Sequence, residues 1–502
     1  MRLTVFAILL ATDVLAGPRF IEKAADLGID HRYTGGWEHF VGGGVAAFDC
    51  DGDDLPEIYA AGGEGPSVFL RNRSDQDNVV FVKEVITSIA VNGATGAYPV
   101  DIDSDGRPDL VILRVGTNLV MKGGPDCSFA PFEDLNIDGG DRWTTAFSAT
   151  WEAGETLPSL AFGNYVNRDD PDGPFEACDV NHLIRPDEAN YAPAEALSPG
   201  HCALSMLFSD WGRAGRADLR VSNDRHYYVR GGAEQLWKME AAPRLFTEVE
   251  GWRRLPIWGM GIASRDINRD GAPDVYLTSM GDQKLQYQRG GGPVFEDAPF
   301  EAGAAAHRPY IGDDGRPSTG WHAEFGDVDN DGLDDLFVAK GNVEQMPSNA
   351  MEDPNNLLMQ TPDGQFVEAG EAAGLASTAR GRGAVLTDLN LDGRLDLVVV
   401  NRNAPLEIYQ NATSDIGAFL SVDVVQEDAN RNAIGAWIEV EANGVVQHRE
   451  VTVGGGHVSG WLGRQHFGLG SAKKARVRVI WPDGQTTDWI DAAAGTRVRL
   501  SR

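Results

Sequence analysis

The chain has 502 residues, of which 42% are hydrophobic, and its 43 basic and 75 acidic residues give a formal net charge of −32. A chain this acidic is a poor partner for nucleic acid or for an anionic membrane surface. The hydrophobic content is ample for a large core, and 60 glycines suit a β protein that is rich in turns.

Residues 1–16 are typical of a secretory signal peptide. Arg2 precedes an apolar run from Leu3 to Leu10, and Val14-Leu15-Ala16 offers small residues for cleavage before Gly17. The run is far too short to span a bilayer, and no other segment reaches about eighteen consecutive apolar residues. We therefore expect export to a secreted, extracellular or periplasmic location, with no membrane span.

The most informative motif is an acidic nine-residue loop. The copy Asp101-Ile102-Asp103-Ser104-Asp105-Gly106-Arg107-Pro108-Asp109 has carboxylates at positions 1, 3, 5 and 9 and glycine at position 6. Alternate side chains converge on one point, and glycine permits the positive φ of a tight turn, which suits a hard cation with oxygen ligands. An EF-hand would need glutamate at position 12 and flanking helices, whereas Ile112 stands there in a strand-like run. The EF-hand interpretation therefore fails.

Five copies keep the carboxylate pattern and are the predicted cation sites. Their side-chain ligands would be Asp49, Asp51, Asp53 and Glu57; Asp101, Asp103, Asp105 and Asp109; Asp266, Asn268, Asp270 and Asp274; Asp327, Asp329, Asp331 and Asp335; and Asp388, Asn390, Asp392 and Asp396. Asp54 stands where the first copy should have glycine, and aspartate tolerates the left-handed region better than most residues. Two degraded copies, 151–159 and 210–218, keep the turn but lose carboxylates.

The spacing of the seven copies predicts the fold. They start at residues 49, 101, 151, 210, 266, 327 and 388, which are 50 to 61 residues apart. Such a period with several short strands per repeat indicates propeller blades rather than a helical solenoid. One such loop alone could equally be a solvated acidic turn, but five copies in phase argue against that alternative. The prediction is an all-β chain with a seven-bladed β-propeller over residues 17–412.

The pattern changes after residue 412. Phe419 to Val424 alternates like a strand, and two further strand-like runs flank Asn443-Gly444, a hairpin signal. Arg476 to Trp481 alternates, and Pro482-Asp483-Gly484 predicts a turn into another strand from Thr486 to Ile490. These features predict a small β-sandwich-like domain over residues 413–502.

The acidic loops resemble the calcium-binding repeats of integrin-type FG-GAP (VCBS) propellers, over about residues 30–412. The resemblance implies Ca²⁺ as the cofactor, at about five sites, and adds the position-7 backbone carbonyls of Leu55, Arg107, Ala272, Leu333 and Arg394 as ligands. The C-terminal motifs are similar to the ASPIC/UnbV domain that follows such repeats in the cartilage acidic protein (CRTAC) family. These motifs are Asn432-Ala433-Ile434-Gly435-Ala436, Gly454-Gly455-Gly456-His457-Val458-Ser459, His466-Phe467-Gly468-Leu469-Gly470 and Trp481-Pro482-Asp483-Gly484.

This second resemblance implies an extracellular calcium-binding protein with an adhesive or matrix-associated role. The animal members carry an additional cysteine-rich EGF-like module. No cysteine follows Cys202, so we expect a bacterial-type member without that module.

The four cysteines favour disulfides, because their number is even and export is predicted, although three connectivities exist. Cys178 and Cys202 flank one long irregular insertion and are the favoured pair. Cys50 would then pair with Cys127 by elimination, and a buried free Cys50 is the alternative.

The predicted function is the binding of a protein or glycan ligand, with calcium mainly structural and no catalysis. The sequence has no His-x-x-x-His pair on a helix and no Gly-x-Ser-x-Gly elbow. Acidic pairs abound, so a hydrolase or lyase acting on polysaccharide is the alternative, and a structural or assembly component is a third.

A ligand pocket is also conceivable near the two metal-poor loops. The segments 162–170 and 222–228 are polar and aromatic, and they could line one face of the propeller with Arg185, His201, Trp237 and Trp258. Packing between blades together with turn hydrogen bonds is the competing interpretation of the same residues.

Overall fold

The computed structural model describes residues 17–171, 173, 176–224, 231–281, 283–305, 311–312, 319–344 and 350–502. The predicted signal peptide lies outside the described residues. Strands dominate the described part, which confirms the all-β prediction. Its helices are the short 3₁₀ turns Trp37–His39, Pro125–Cys127, Glu248–Glu250 and Phe300–Ala302 and the single α-helical turn Gly370–Ala373. None of these helices is long and apolar enough to cross a membrane.

Across the described residues one arrangement of four antiparallel strands recurs seven times. Unit one contains Val45–Phe48, Glu57–Ala60, Val68–Asn72 and Phe81–Glu84; unit two Ala94–Val100, Asp109–Thr117, Leu119–Gly124 and Ser128–Pro131; unit three Asp141–Thr150, Ser159–Asn164, Asn181–Ile184 and Glu195–Leu197; unit four Ala203–Ser209, Asp218–Asn223, Gln235–Lys238 and Arg244–Leu245; unit five Gly259–Arg265, Asp274–Ser279, Lys284–Arg289 and Val294–Asp297; unit six Gly320–Gly326, Asp335–Lys340, Asn356–Gln360 and Phe366–Glu368; and unit seven Arg380–Thr387, Asp396–Arg402, Glu407–Asn411 and Phe20–Glu22.

Unit seven takes its fourth strand from the other end of the chain, because Phe20–Glu22 pairs antiparallel with Glu407–Asn411. Two small strand pairs lie outside the units: Pro186–Asp187 with Asn190–Tyr191, and Ile311–Gly312 with Ala350–Glu352. The first strand of each unit contacts the first strand of the next, and Arg380–Thr387 of unit seven contacts Val45–Phe48 of unit one. The first strands of successive units therefore lie next to one another, and those of units seven and one are also in contact.

All seven acidic or degraded loops occupy the same place in their units. Each connects the first strand to the second, and the second strand begins at loop position 9 in every case. The apolar run after each loop becomes a buried strand; Leu110, Val111, Ile112 and Leu113, for example, are fully buried. The loop spacing predicted from the sequence thus matches the spacing of the four-stranded units.

Both expected disulfides are present. Cys50 bonds to Cys127 and joins the first two units, and Cys178 bonds to Cys202 across the insertion before unit four. The favoured pairing is confirmed, and the alternative of a free Cys50 is wrong.

Residues 413–502, called here the C-terminal module, form two sheets. One consists of Gln465–Gly470, Ala418–Val425 and Thr496–Ser501, and the other of Val445–Glu450, Trp437–Ala442, Lys474–Ile480 and Ile490–Ala493. Inward side chains of both sheets, such as Leu420 and Ile438, share one core. That core also contains Tyr98 and Phe147 of units two and three, so the module packs directly on the repeats.

The predicted strand from Thr486 to Ile490 is wrong, because the structure begins its strand only at Ile490. The Thr487 amide donates to the Val479 carbonyl, and the Thr487 hydroxyl accepts the Val479 amide. Thr487 thus satisfies both the amide and the carbonyl of Val479, so the segment needs no regular strand pairing there. The hairpin predicted at Asn443-Gly444 is confirmed, with φ values of 52° and 83°.

One segment of the module, residues 453–462, lies among the first strands of the units. Val453, Gly454 and Gly456 bridge to Ala149, Leu207 and Ile262 of units three, four and five. Ser459 bridges to unit two, and Gly460–Leu462 pairs in parallel with unit one. The buried His457 amide donates to Nδ1 of His322 in unit six. This inserted segment therefore contacts the first strands of units one to six.

Candidate metal centre

The acidic loops are closed by a repeating set of hydrogen bonds. In loop two, the carboxylate of Asp101 accepts the amides of Asp105 and Gly106 at 3.0 and 2.9 Å. Asp105 in turn accepts the amide of position 7 at 2.9 Å. Aspartate side chains readily accept bonds from nearby backbone amides in this way. The same three bonds recur at positions 1 and 5 in the loops that begin at residues 266, 327 and 388.

The carboxylate at position 9 ties each loop to its sheet. One oxygen of Asp109 accepts the Ile102 amide, and the other accepts the Gly123 amide of the third strand, both at 2.8 Å. Equivalent pairs of bonds are made by Asp274, Asp335, Asp396 and Glu57. A predicted ligand at this position therefore also holds the backbone of the loop in place.

The structure brings the predicted ligands together most clearly in three loops. Carboxylate oxygens from three residues lie within 4.8 Å of one another in each of the groups Asp49, Asp51 and Asp53; Asp101, Asp103 and Asp109; and Asp327, Asp329 and Asp335. The other two acidic loops have Asn268 and Asn390 at position 3. An amide oxygen is also an acceptable ligand for a hard cation.

The loops contain oxygens that lack a partner. Oδ1 of Asp51, of Asp103 and of Asn390 are buried, and none has a hydrogen-bond donor among the described residues. All three are position-3 atoms. Leaving a buried acceptor unsatisfied is costly, and such exceptions are rare in folded proteins. A divalent cation at the centre of the loop would satisfy these oxygens, so the residues present fit Ca²⁺.

Electrostatics point the same way. Burial, reinforced by neighbouring carboxylates, raises the pKa of Asp109 to about 8 and the pKa values of Asp274 and Asp388 to about 7. The pKa values of Asp327 and Asp335 are also raised well above the ordinary aspartate value, by burial and by nearby carboxylates. These groups resist ionisation beside one another, and a bound divalent cation would reverse that preference.

Three loops also have a basic side chain at their edge. Nζ of Lys122 contacts Asp103 and lies 3.3 Å from Asp105. Arg71 lies 2.9 Å from Asp51, and Arg394 lies 3.1 Å from Asp392. These cations offset part of the loop charge, and Lys122 in particular reaches two predicted ligands of loop two.

The degraded loop 210–218 keeps the turn without the ligands. Asp210 accepts the amides of Ala214 and Gly215 at 2.8 and 2.7 Å, as position 1 does in the acidic loops. Positions 3 and 5 are Gly212 and Ala214, which offer no side-chain oxygen. Arg216 lies 3.3 Å from the position-9 residue Asp218. The guanidinium of Arg216 thus lies beside the carboxylate at position 9.

Position 4 is a feature that the sequence did not reveal. It has a positive φ in all seven loops: Gly52 82°, Ser104 57°, Gly154 89°, Arg213 49°, Arg269 61°, Asn330 57° and Leu391 60°. Residue type gives no consistent signal here, because serine, arginine and leucine rarely adopt this region. Only the repeated loop geometry identifies it. Position 6 was recognised correctly, including Asp54 with a φ of 75°.

The pocket hypothesis near the metal-poor loops is not supported as a single site. Trp237 lies in the core of unit four, and Arg185 pairs with Glu152 and binds two backbone carbonyls. Tyr165 is buried and donates to Asp224. Residues 225–228 lie outside the described residues. Asn167, Arg168 and Asp169 do line an open cavity of about 330 Å³ with Asp141, Arg142 and Asp179.

Comparison with known proteins agrees with the repeat frame. A family model described as FG-GAP-like repeat matches residues 49–112, 266–338 and 327–399, and the model described as ASPIC and UnbV matches residues 426–502. These matches cover all five acidic loops and most of the C-terminal module.

Cartilage acidic proteins match along most of the chain. Cartilage acidic protein 1 of Mus musculus is 24% identical over 487 residues, covering 88% of this chain and 70% of the relative. The Homo sapiens protein of the same name is 25% identical over 480 residues, covering 88% and 69%.

Solved structures with a similar backbone trace include an Agrocybe aegerita lectin that recognises non-reducing terminal N-acetylglucosamine. Its match has a TM-score of 0.40 and 14% identity, and it covers 74% of this chain and 94% of the lectin. Trypanosoma rangeli sialidase in complex with sialic acid matches with a TM-score of 0.38 and 10% identity, covering 69% and 59%. From the sequence matches, the chain consists of FG-GAP-like repeats followed by an ASPIC/UnbV domain and is homologous to cartilage acidic protein 1 over most of its length.

Proposed function

We propose that this protein is an exported, calcium-binding β-propeller of seven blades with a β-sandwich-like C-terminal module, and that it binds a protein or glycan ligand. The observation that carries the proposal is the fivefold recurrence of one acidic loop, with the same internal hydrogen bonds in four copies and, in three copies, an unpartnered oxygen at position 3. Ring packing of the first strands and the pairing of Phe20–Glu22 with unit seven support the propeller.

Calcium has a structural role in this proposal. It would be held by the side-chain oxygens at positions 1, 3, 5 and 9 and by the position-7 carbonyl, and when bound it supplies the positive charge that the clustered carboxylates lack. Because the ion binds folded loops and hardly the unfolded chain, saturation at 100-fold excess over the dissociation constant stabilises the fold by about 2.7 kcal/mol per site. Several sites together would make stability calcium-dependent.

The two disulfides fit an extracellular location. The inserted segment 453–462 occupies the space among the first strands. A ligand would therefore meet the outer surfaces of the repeats or of the module rather than an open central channel.

Glycan and protein arrays probed with the calcium-loaded protein test this proposal, with a parallel assay for new reducing ends on acidic polysaccharides. Binding to a defined ligand without release of reducing ends is the expected result. Catalytic release would overturn the assignment in favour of a hydrolase or lyase. Neither binding nor release, together with co-purification of a stoichiometric partner, would instead indicate an assembly component.

A further inference from the structure

The acidic loops also form the surface on which the C-terminal module sits. The Gly417 and Gly470 amides of the module donate to the carbonyls of Asp329 and Asn330 in loop six, each at 2.8 Å. The Asn430 amide donates to Oγ of Ser104 in loop two at 2.9 Å. The acceptors are atoms of loop positions 3 and 4.

The remaining acidic loops meet the module in the same region. Arg497 donates to the carbonyl of Leu391, position 4 of loop seven, at 2.6 Å. Arg464 pairs with Asp54 in loop one, and Nδ1 of His448 lies 2.7 Å from Oδ2 of Asp266 in loop five. All five acidic loops of the described chain therefore touch residues 413–502.

The degraded loop of unit four meets the module without any metal ligands at positions 3 and 5. Its position-4 residue, Arg213, pairs with Glu439 at 2.9 Å and lies 4.3 Å from the ring centre of Trp437. The Asp210 amide donates to the half-buried Glu450. Here side chains of the module supply the contacts, so this attachment serves as an internal comparison that does not depend on calcium.

Charge complements these contacts. Residues 413–502 contain ten basic and ten acidic residues, so the whole net charge of −32 resides in residues 1–412. Three of the module's basic residues, Arg449, Arg464 and Arg497, reach the acidic loops directly. The module, which has no net charge, thus packs on the strongly acidic part of the chain formed by residues 1–412.

We propose that the five acidic loops are a calcium-dependent docking surface for the C-terminal module, an inference that rests on the calcium binding proposed above. A non-glycine residue in the left-handed region costs of order 1–3 kcal/mol and persists only where its surroundings hold it. Positions 3 and 5 flank position 4, so an ion held by both fixes the position-3 and position-4 acceptor atoms that the module contacts in loops two, six and seven. By linkage, calcium strengthens docking, and docking raises calcium affinity by the same factor.

Hydrogen exchange of the full chain, with saturating calcium and after chelation, tests the first half of this reciprocity. We expect chelation to speed exchange in peptides covering 413–432 and 466–472 by about tenfold or more, within the usual range for coupled sites. A peptide covering 206–212, which reports the contact of Asp210 with Glu450, should change far less. Calcium stoichiometry is measured on the same samples.

The variant Arg497→Gln tests the second half, because it removes a contact on the module side and no predicted ligand. We expect calcium to bind loop seven several-fold more weakly in this variant. Arg476→Gln is the matched control, since Arg476 pairs with Glu441 inside the module; its calcium affinity should equal that of the wild type.

The outcomes separate the two proposals. A protein that binds no calcium overturns the calcium assignment and this inference with it. A protein that binds calcium at the expected stoichiometry, with unchanged exchange at 413–432 and 466–472 and with wild-type affinity in Arg497→Gln, overturns the docking inference alone.

Discussion

The carboxylates at position 3 are the most direct probes of ligand identity, because they contribute little to the internal hydrogen bonds of their loops. Asp103 has an unpartnered Oδ1, and Asp329 accepts the Asp331 amide at 3.2 Å. We predict that Asp103→Ala and Asp329→Ala each lower the calcium stoichiometry by about one and reduce the melting temperature in calcium. Equilibrium dialysis with metal analysis measures the first effect.

Asp488→Ala is the matched control for these variants. It removes an exposed carboxylate of the C-terminal module that is not a predicted ligand. Its stoichiometry should equal that of the wild type. If Asp103→Ala and Asp329→Ala both keep full stoichiometry, the ligand assignment at position 3 is wrong.

A second residue-scale prediction concerns Glu450, which accepts from the Ser209 hydroxyl and the Asp210 amide. Burial raises the pKa of Glu450 from its ordinary value of 4.5 to about 8. Because the folded state holds this proton more tightly, the associated stability is full below pH 4.5 and is lost as the pH rises towards 8. Glu450→Gln, which resembles the protonated form, should flatten this dependence.

Urea unfolding between pH 5 and 8 in saturating calcium, which keeps the loop carboxylates ionised, measures the effect. The wild type should lose up to a few kcal/mol more across this range than Glu450→Gln. Equal pH profiles for the two proteins would mean that Glu450 is ionised and adequately paired in the folded state.

At the scale of elements, the inserted segment depends on glycines that leave no room for a side chain. Gly454 has a φ of +125°, and a Cβ there would lie 2.6 Å from the Met206 carbonyl. Gly484 has a φ of +82° with nothing within 4 Å of such a Cβ. We predict that Gly454→Ala lowers the free energy of unfolding by about 1–3 kcal/mol more than Gly484→Ala does.

Denaturant unfolding of the two variants isolates the packing contribution, because both place alanine at a positive φ. Equal losses of stability would show that the inserted segment has room to shift away from unit four. The seating of residues 453–462 described above would then be wrong.

The long-range contacts of the same segment could not be predicted from the sequence. The acidic loops could be located because ligand spacing and the following apolar run repeat in phase, and Asn443-Gly444 marks its own hairpin. Gly454-Gly455-Gly456 carries no periodicity, and its partners Leu207 and Ile262 are roughly 190 to 250 residues away in the chain. Such a contact has no local signature.

The left-handed position 4 was missed for a related reason. Its conformation is imposed by the bonds that positions 1 and 5 make around it, whereas its own side chain ranges from glycine to leucine. The strand predicted from Thr486 is absent because Thr487 satisfies the backbone groups of Val479 without a regular strand pairing. An alternating pattern of side chains does not reveal such hydrogen bonds.

At the scale of the whole molecule, the repeats and the C-terminal module share a core. Tyr98 and Phe147 of the repeats belong to the same buried cluster as Leu420, Ile438 and Phe467 of the module. Removing residues 413–502 would expose that apolar surface and empty the space among the first strands. We predict that residues 17–412 alone are aggregation-prone or melt well below the full chain in saturating calcium.

Size-exclusion chromatography and thermal melting of the shortened chain check this prediction. A monodisperse fragment with the melting temperature of the full chain would show that the repeats are stable independently of the module. The shared core would then contribute little to the stability of the repeats.

The most direct test of the central claim is the calcium content of the purified protein, measured with its melting temperature before and after chelation. The account predicts close to five ions per chain and a large fall in melting temperature when they are removed, because several buried carboxylate clusters lose their counter-ion together. Zero or one ion, with an unchanged melting temperature, would contradict it and leave the acidic loops as solvated turns on a repeat fold.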